Sequence, residues 1–271
     1  MDDVYRATAE RNLMVSSIQG VCMELDFKTR LKQREVLLGP LVTLGSTEVA
    51  EILSKVGFDW LWIEMEHAPT GLARVQEMKQ ATGGRVPCLV RAPWNDGVWI
   101  KRILDTGCDG IVIPQIRSAA EAREAIRNCK YPPIGTRSVG IARAQGYGMT
   151  LQDYIENADE RLITVLQTEH IDAANNIESI LDVPGFDAVL IGPYDLSASI
   201  GIKGQVSHPD VQQAIGKIKA ACLDKHIPIG IFAVDAEAAK MQIDSGCTLI
   251  ALGVDTMYLW KSAKQTLSEL R

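Results

Sequence analysis

From about residue 36 to the end of the chain, short apolar runs alternate with amphipathic stretches. The runs are VLLGPLVTLG, WLWIEME, PCLVRAP, GIVIPQI, LITVLQTE, AVLIGPYDLS, IPIGIFAV and LIALGVD. Each is brief, nearly continuous and rich in Val, Ile and Leu, the pattern of a strand buried on both faces. The stretches between and after them, 47–56, 72–81, 98–105, 119–129, 172–181, 209–223, 236–244 and 257–270, carry the helical period of apolar positions. Residues 1–35 mix charged and apolar side chains without alternation and without Pro, and predict a helical N-terminal segment ahead of a domain over 36–271.

Eight strand-then-helix units predict an α/β chain folded as a (β/α)8 TIM barrel. Gly and Asp mark the helix-to-strand junctions at Gly57-Phe58-Asp59, Gly107-Cys108-Asp109 and Gly185-Phe186-Asp187, with Ser245-Gly246-Cys247 as a fourth. Gly there allows the left-handed residue that ends a helix. An open doubly wound sheet is the alternative, but the Gly-rich phosphate turn expected after its first strand is absent. The irregular piece is 130–160, whose YPPIGTRSVGIARAQGYG is rich in Gly, Pro and Arg. A loop of that length is usually functional, and it is expected on the side of the catalytic loops.

A formal net charge of -6 and the lack of any consecutive basic block argue against a nucleic-acid or anionic-membrane surface. A small-molecule substrate is the better default. The opening MDDVYRATAERN is acidic and polar, so no secretory signal is expected, and no apolar run is long enough to span a bilayer. The six cysteines (Cys22, Cys88, Cys108, Cys129, Cys222, Cys247) are dispersed without C-x-x-C spacing and read as reduced, cytoplasmic core residues.

Polar groups at the downstream ends of parallel strands assemble a barrel's active site. Glu169 and Asp195 end the fifth and sixth runs, so their carboxylates can converge, and two carboxylates beside a chelating substrate suit a hard divalent ion. The alternative is that each caps the following helix, Asp195 accepting from backbone N–H groups near Ser197. His170 is expected to face the helices. His67, one of four histidines, comes after Glu64 and Glu66 at the end of the second run. An imidazole there can take a proton near neutral pH, or it can be a hydrogen-bonded structural group. Arg91 ends the third run, where a guanidinium can hold a carboxylate or steady a developing enolate oxygen. No lysine falls at the catalytic end of a predicted strand, which disfavours Schiff-base chemistry and favours metal-assisted enolate chemistry.

The segments WIEMEHAP, VRAPWNDGVWIKRILDTGCDGIVIPQI, YPPIGTRSVG, VLQTEH and IGPYDLSASIGIKG resemble the HpcH/HpaI family of metal-dependent, pyruvate-using aldolases over about residues 37–271. The resemblance implies cleavage of a 4-hydroxy-2-oxo acid to pyruvate, or a close 2-oxo acid, and an aldehyde. It implies Glu169 and Asp195 as ligands of a divalent metal (Mg2+, Mn2+ or Co2+) and Gln167 in contact with the 2-oxo acid. It also implies His67 as the base, Arg91 as the enolate stabiliser and Asp105 as the support of the histidine. A homo-oligomer, a trimer of dimers exchanging the last helix, is part of the same expectation. The chain departs from the family at Glu64, where Asp is usual, and at Tyr194, where a small residue lines the substrate site. Further departures are Thr168 and His170 around Glu169, and Ser138 in the Gly-rich loop. These put aldehyde choice in doubt rather than reaction class. Rival readings are an oxaloacetate-type decarboxylase, a citrate-lyase-like enzyme acting on a CoA thioester, and a non-catalytic metal-binding barrel.

Overall fold

The computed structural model describes residues 27–271. Of the expected N-terminal segment, residues 1–26, with Cys22, lie outside the described residues; residues 27–32 are helical (α1). Eight strands come next: β1 (Leu37–Val42), β2 (Leu61–Glu64), β3 (Cys88–Arg91), β4 (Gly110–Ile113), β5 (Ile163–Thr168), β6 (Ala188–Ile191), β7 (Ile229–Ala233) and β8 (Leu249–Val254). Each pairs in parallel with the next, and β8 returns to β1, so the sheet closes into a barrel. The outer layer comprises α2 (Thr47–Val56), α3 (Leu72–Ala81), α4 (Gly97–Asp105), α5 (Ala119–Cys129), α6 (Leu151–Arg161), α7 (Ile171–Asn175) and α8 (Ile177–Leu181). It continues with α9 (Pro193–Ser199), α10 (Pro209–Asp224), α11 (Ala236–Asp244) and α12 (Asp255–Ser268).

Alternation along each strand divides the apolar residues between two cores. Leu37, Trp60, Trp62, Leu89, Val112, Val165, Leu190 and Leu249 fill the barrel interior. Phe27 and Leu31 of α1 join that interior cluster, so the short helix plugs the end where the strands begin. The intervening residues, such as Ile63, Val90 and Ile111, face the helices.

The junction motif seen in the sequence has a structural use. Asp59, Asp109 and Asp187 stand just ahead of β2, β4 and β6, and each accepts a backbone N–H from the preceding strand. The donors are Leu38 at 2.9 Å, Cys88 at 2.6 Å and Thr164 at 2.9 Å. A cation neutralises each aspartate: Arg30, Lys79 and Lys28 respectively. The turn before the first of them is made by Gly57 at φ 107, a left-handed value that a Cβ disfavours. At the opposite end, Asp255 accepts from Thr43 N, Thr43 Oγ1 and Leu44 N, tying the exit of β1 to the start of α12.

Two expectations change. The segment over 130–160 leaves the C-terminal end of α5 and leads into the start of β5, so it lies at the end where strands begin and not beside the catalytic loops. Its contacts place it there: Ala144 N donates to Asp105 O, and Arg143 donates to the carbonyls of Thr106 and Gly107. It also contains a helix, α6, which leaves little apolar signal in the sequence because only Ala158 of its length is buried. The single helix expected over 172–181 is two, α7 and α8, broken at Asn176.

Asp109 and Lys79 are both nearly buried, with side chains 6% and 7% exposed. Asp109→Ala would remove the acceptor of the Cys88 N–H and one partner of Lys79, which is expected to lower unfolding stability by about 1–3 kcal/mol. Denaturant or thermal unfolding of the variant checks this, and a loss below about 0.5 kcal/mol would contradict it.

Candidate active site

The downstream ends of β2, β3, β5 and β6 converge on a cavity of about 220 Å3 lined by Trp62, His67, Arg91, Gln167, Gly192 and Asp195, among others. The parallel register sets Glu64 beside Arg91. Both are buried, and Glu64 Oε2 lies 2.7 Å from Arg91 Nε and 2.6 Å from Nη2. The other oxygen of Glu64 accepts the backbone N–H groups of Glu66 at 2.6 Å and His67 at 2.9 Å. Glu64 therefore fixes both a side chain and the turn that carries the histidine. The longer Glu in place of the family's Asp is fully used in these contacts. The guanidinium of Arg91 also lies 4.9 Å from the centroid of the Trp62 ring.

Glu66 is a residue of this site that the sequence reading mentions only as a neighbour of His67. Its Oε2 stands 3.1 Å from Arg91 Nη1 and 3.7 Å from His67 Nε2, yet takes no well-directed hydrogen bond. Burial, with the charges of Glu64 and Asp195 adding to it against Arg91, pushes its carboxyl up to about 7. The signal is there in WIEMEHAP: two glutamates at alternate positions share a side of the strand end.

Glu169 is 1% exposed. Its Oε1 accepts the backbone N–H of Gln115 at 2.9 Å, and its Oε2 accepts from Gln167 Nε2. Gln115 holds a left-handed φ of 60, a backbone contribution that sequence reading could not foresee. Gly192 passes so close that a Cβ there would sit 2.7 Å from Glu169 Oε2, so the approach of β6 to Glu169 requires glycine. Burial and the neighbouring charges of Glu66 and Asp195 push Glu169 up to about 7.

Asp195 lies in the first turn of α9 and is half-buried, and the capping alternative does not hold. The cap residue is Gly192, Ser197 Oγ bonds Tyr194 O and Gly204 N, and no hydrogen bond to the Asp195 carboxylate is formed among the described residues. Its oxygens stay free toward the cavity it lines. His170 caps α7 through Nδ1 on Asp172 N, as its outward direction requires. Tyr194 is 56% exposed and stands at the mouth.

The structure brings His67, Arg91, Gln167, Glu169, Tyr194 and Asp195 to one end of the barrel, but it does not bring Asp105 there. Asp105 is the last residue of α4, which runs back outside the barrel and packs on β4, so it lies at the far end of the chain's own barrel. It accepts from Arg137 Nη2 at 2.8 Å and Gln145 Nε2 at 3.2 Å, with Arg137 packed against Tyr131 and Tyr154. The expected pairing of Asp105 with His67 is thus not made within this chain. Instead His67, whose side chain is 63% exposed, has Glu66 as its neighbour.

Around the cavity, four carboxylates (Glu64, Glu66, Glu169, Asp195) face one guanidinium, Arg91. Buried charge of one sign needs a counter-charge. Among the described residues no three metal-ligating side chains cluster, so a cation here would rest on Glu169 and Asp195.

Residues 41–262 match the model of the HpcH/HpaI aldolase/citrate lyase family. The chain is 38% identical over 252 residues to the hydroxypyruvate/pyruvate aldolase of Paraburkholderia phytofirmans, covering 90% of this chain and 96% of that one. It is 39% identical over 245 residues to a 4-hydroxy-2-oxo-heptane-1,7-dioate aldolase of Escherichia coli, covering 89% and 93%. Its fold superposes on an HpcH/HpaI aldolase/citrate lyase family protein from Burkholderia cenocepacia with a TM-score of 0.88 at 34% identity, covering 91% and 99%. The family match over residues 41–262 and the identity to two aldolases over about nine-tenths of the chain place this protein in the HpcH/HpaI aldolase/citrate lyase family and make it a carbon–carbon lyase.

Proposed function

We propose that this chain is a divalent-metal-dependent aldolase that cleaves a 4-hydroxy-2-oxo acid to pyruvate, or a close 2-oxo acid, and an aldehyde, and runs the reverse addition. The observation that carries this reading is that Asp195 lines one cavity with Arg91, His67 and Gln167, while the buried Glu169 carboxyl, held by Gln167, is pushed up to about 7 by burial and by the charges of Glu66 and Asp195. The names of the two relatives, both 2-oxo acid aldolases, agree with it.

The donor set fits a hard ion such as Mg2+, Mn2+ or Co2+: oxygen ligands only, with a surplus of negative charge that burial makes costly. When bound, such an ion supplies Lewis acidity toward the keto oxygen of a 2-oxo acid. The side chains do the rest. Gln167 holds the 2-oxo acid at the floor. His67, open at the rim, removes the proton of the 4-hydroxyl. The C3–C4 electron pair then passes to the 2-oxo half, the aldehyde leaves, and Arg91 steadies the negative charge that grows on the keto oxygen. Glu66 stands between Arg91 and His67, 3.1 Å from the guanidinium and 3.7 Å from the imidazole Nε2. Proton return to C3 completes pyruvate.

The decarboxylase reading shares the enolate and differs only in the leaving group. The CoA reading lacks support, because the cavity rim offers one buried arginine and no cluster of basic side chains. A homo-oligomer, the trimer of dimers with an exchanged last helix, belongs to the same proposal. It is supported by α12, in which only Asp255 is buried while Leu259 and Trp260 are 66% and 60% exposed. The cytoplasmic assignment is supported by the free, buried Cys88, Cys108, Cys129, Cys222 and Cys247.

Pyruvate release from a panel of 4-hydroxy-2-oxo acids, in EDTA and then with a divalent ion restored, tests the reading. Ion-dependent release is expected, Glu169→Ala should abolish it, and His67→Ala should slow it about 100- to 10,000-fold while sparing ion binding. Intact hydroxy acids together with rapid loss of CO2 from oxaloacetate would favour the decarboxylase instead.

The carboxyls of Glu66 and Glu169 also set a pH dependence. Both titrate near 7 when folded, above the 4.5 of a free Glu, so the folded protein retains protons that the unfolded chain releases. Stability contributed by these groups is therefore present at low pH and falls as pH rises from about 4.5 to 7. In EDTA, the wild type should lose Tm over that window relative to Glu169→Gln, and Mg2+ should raise Tm more at pH 7.5 than at pH 5. Parallel Tm profiles for the two proteins would contradict the assignment.

A further inference from the structure

Two buried polar atoms of opposite hydrogen-bonding sense remain unpaired at the cavity. Among the described residues the indole N–H of Trp62 has no acceptor, and Oε1 of Gln167 has no donor. Both side chains are almost wholly buried, 3% and 2% exposed, and both residues line the same 220 Å3 cavity. The Gln167 amide is oriented by Nε2, which donates to Glu169, so its oxygen is turned away from that carboxylate. Trp60 also has an unpaired indole N–H, but it lies just ahead of β2, deeper in the barrel, and does not line the cavity. Of the two tryptophans, Trp62 is the one that lines the cavity.

The remaining floor, Leu41, Leu190 and Phe232, is apolar. A methyl group placed on it would leave both the donor and the acceptor unsatisfied, and a buried polar atom without a partner is costly. A carboxylate or ketone would satisfy only the donor; an ammonium only the acceptor. A hydroxyl does both, because it donates one hydrogen bond and accepts others. The face of the Trp62 ring is already taken by Arg91 at 4.9 Å, which holds the indole plane in place. The cavity is also small, so the group that fills it sits on a short donor.

We propose that Trp62 is a specificity-determining residue that selects a 2-oxo acid donor carrying a hydroxyl on C3, the hydroxyl accepting from Trp62 Nε1 and donating to Gln167 Oε1. This rests on the aldolase reading above. Sites built to pair a substrate hydroxyl discriminate against the analogue that lacks it, because the protein's own polar groups are then left unpaired.

The test is exchange of C3 protons for deuterium, monitored by NMR for hydroxypyruvate and for pyruvate with Mg2+ and no aldehyde. It reads enolate formation on each donor separately. Wild type is expected to exchange both, with kcat/KM higher for hydroxypyruvate. In Trp62→Phe the hydroxypyruvate-to-pyruvate ratio should fall about tenfold, and Trp62→Tyr, which restores an O–H donor, should recover part of it. An unchanged ratio in Trp62→Phe, or a wild type that prefers pyruvate, would overturn the role of Trp62 while leaving the aldolase reading intact. A wild type that exchanges neither donor would sink the aldolase reading, and this inference with it.

Discussion

A guanidinium cannot be carried into the mouth of a barrel without partners, and the pairing of Arg91 organises this end of the molecule. The β2–β3 register sets Glu64 against it, and the second oxygen of Glu64 then pins the turn holding Glu66 and His67. Glu66 completes the clamp on Arg91, which leaves Glu169 and Asp195 without an ion pair among the described residues. The charge surplus of the site is therefore a consequence of how its one arginine is held. In the proposed mechanism that surplus is what a divalent ion offsets.

The two ends of the barrel divide the labour. Where the strands begin, Asp59, Asp109 and Asp187 each commit both a charge and a lone pair to holding an adjacent strand, and Phe27 and Leu31 seal the interior. Where the strands end, carboxylates of the same kind are left unpaired or underpaired. Identical chemistry stabilises one end and is held ready at the other, in keeping with the separation of stability and catalysis in barrels.

Much of this is legible in the sequence because strand ends are legible. The helices over 47–56, 72–81, 119–129 and 236–244 come from periodicity, and Glu169, Asp195, His67 and Arg91 come from closing an apolar run on a polar residue. Features set by direction or by backbone are not legible in this way. The segment over 130–160 looks like a catalytic loop in composition, yet it leaves the C-terminal end of a helix, and in a barrel that end sits where the strands begin. The same geometry separates Asp105 from His67 within one chain. Leu151–Arg161 hides as a helix because it buries almost nothing, and the Gln115 N–H that grips Glu169 depends on one left-handed residue. Glu66 is visible in the sequence but looks redundant beside Glu64 until the hydrogen bonds separate their tasks.

Glu169 and Asp195 form a cation site facing Arg91 across the substrate cavity in the proposed mechanism, and every other assignment leans on that pair. The most direct measurement is an anomalous difference map from crystals soaked in Mn2+ and pyruvate. One strong peak is expected between the carboxylates of Glu169 and Asp195, with the pyruvate keto group turned toward Arg91. A peak elsewhere, or pyruvate bound in this cavity with no ion between those two carboxylates, would contradict the proposal.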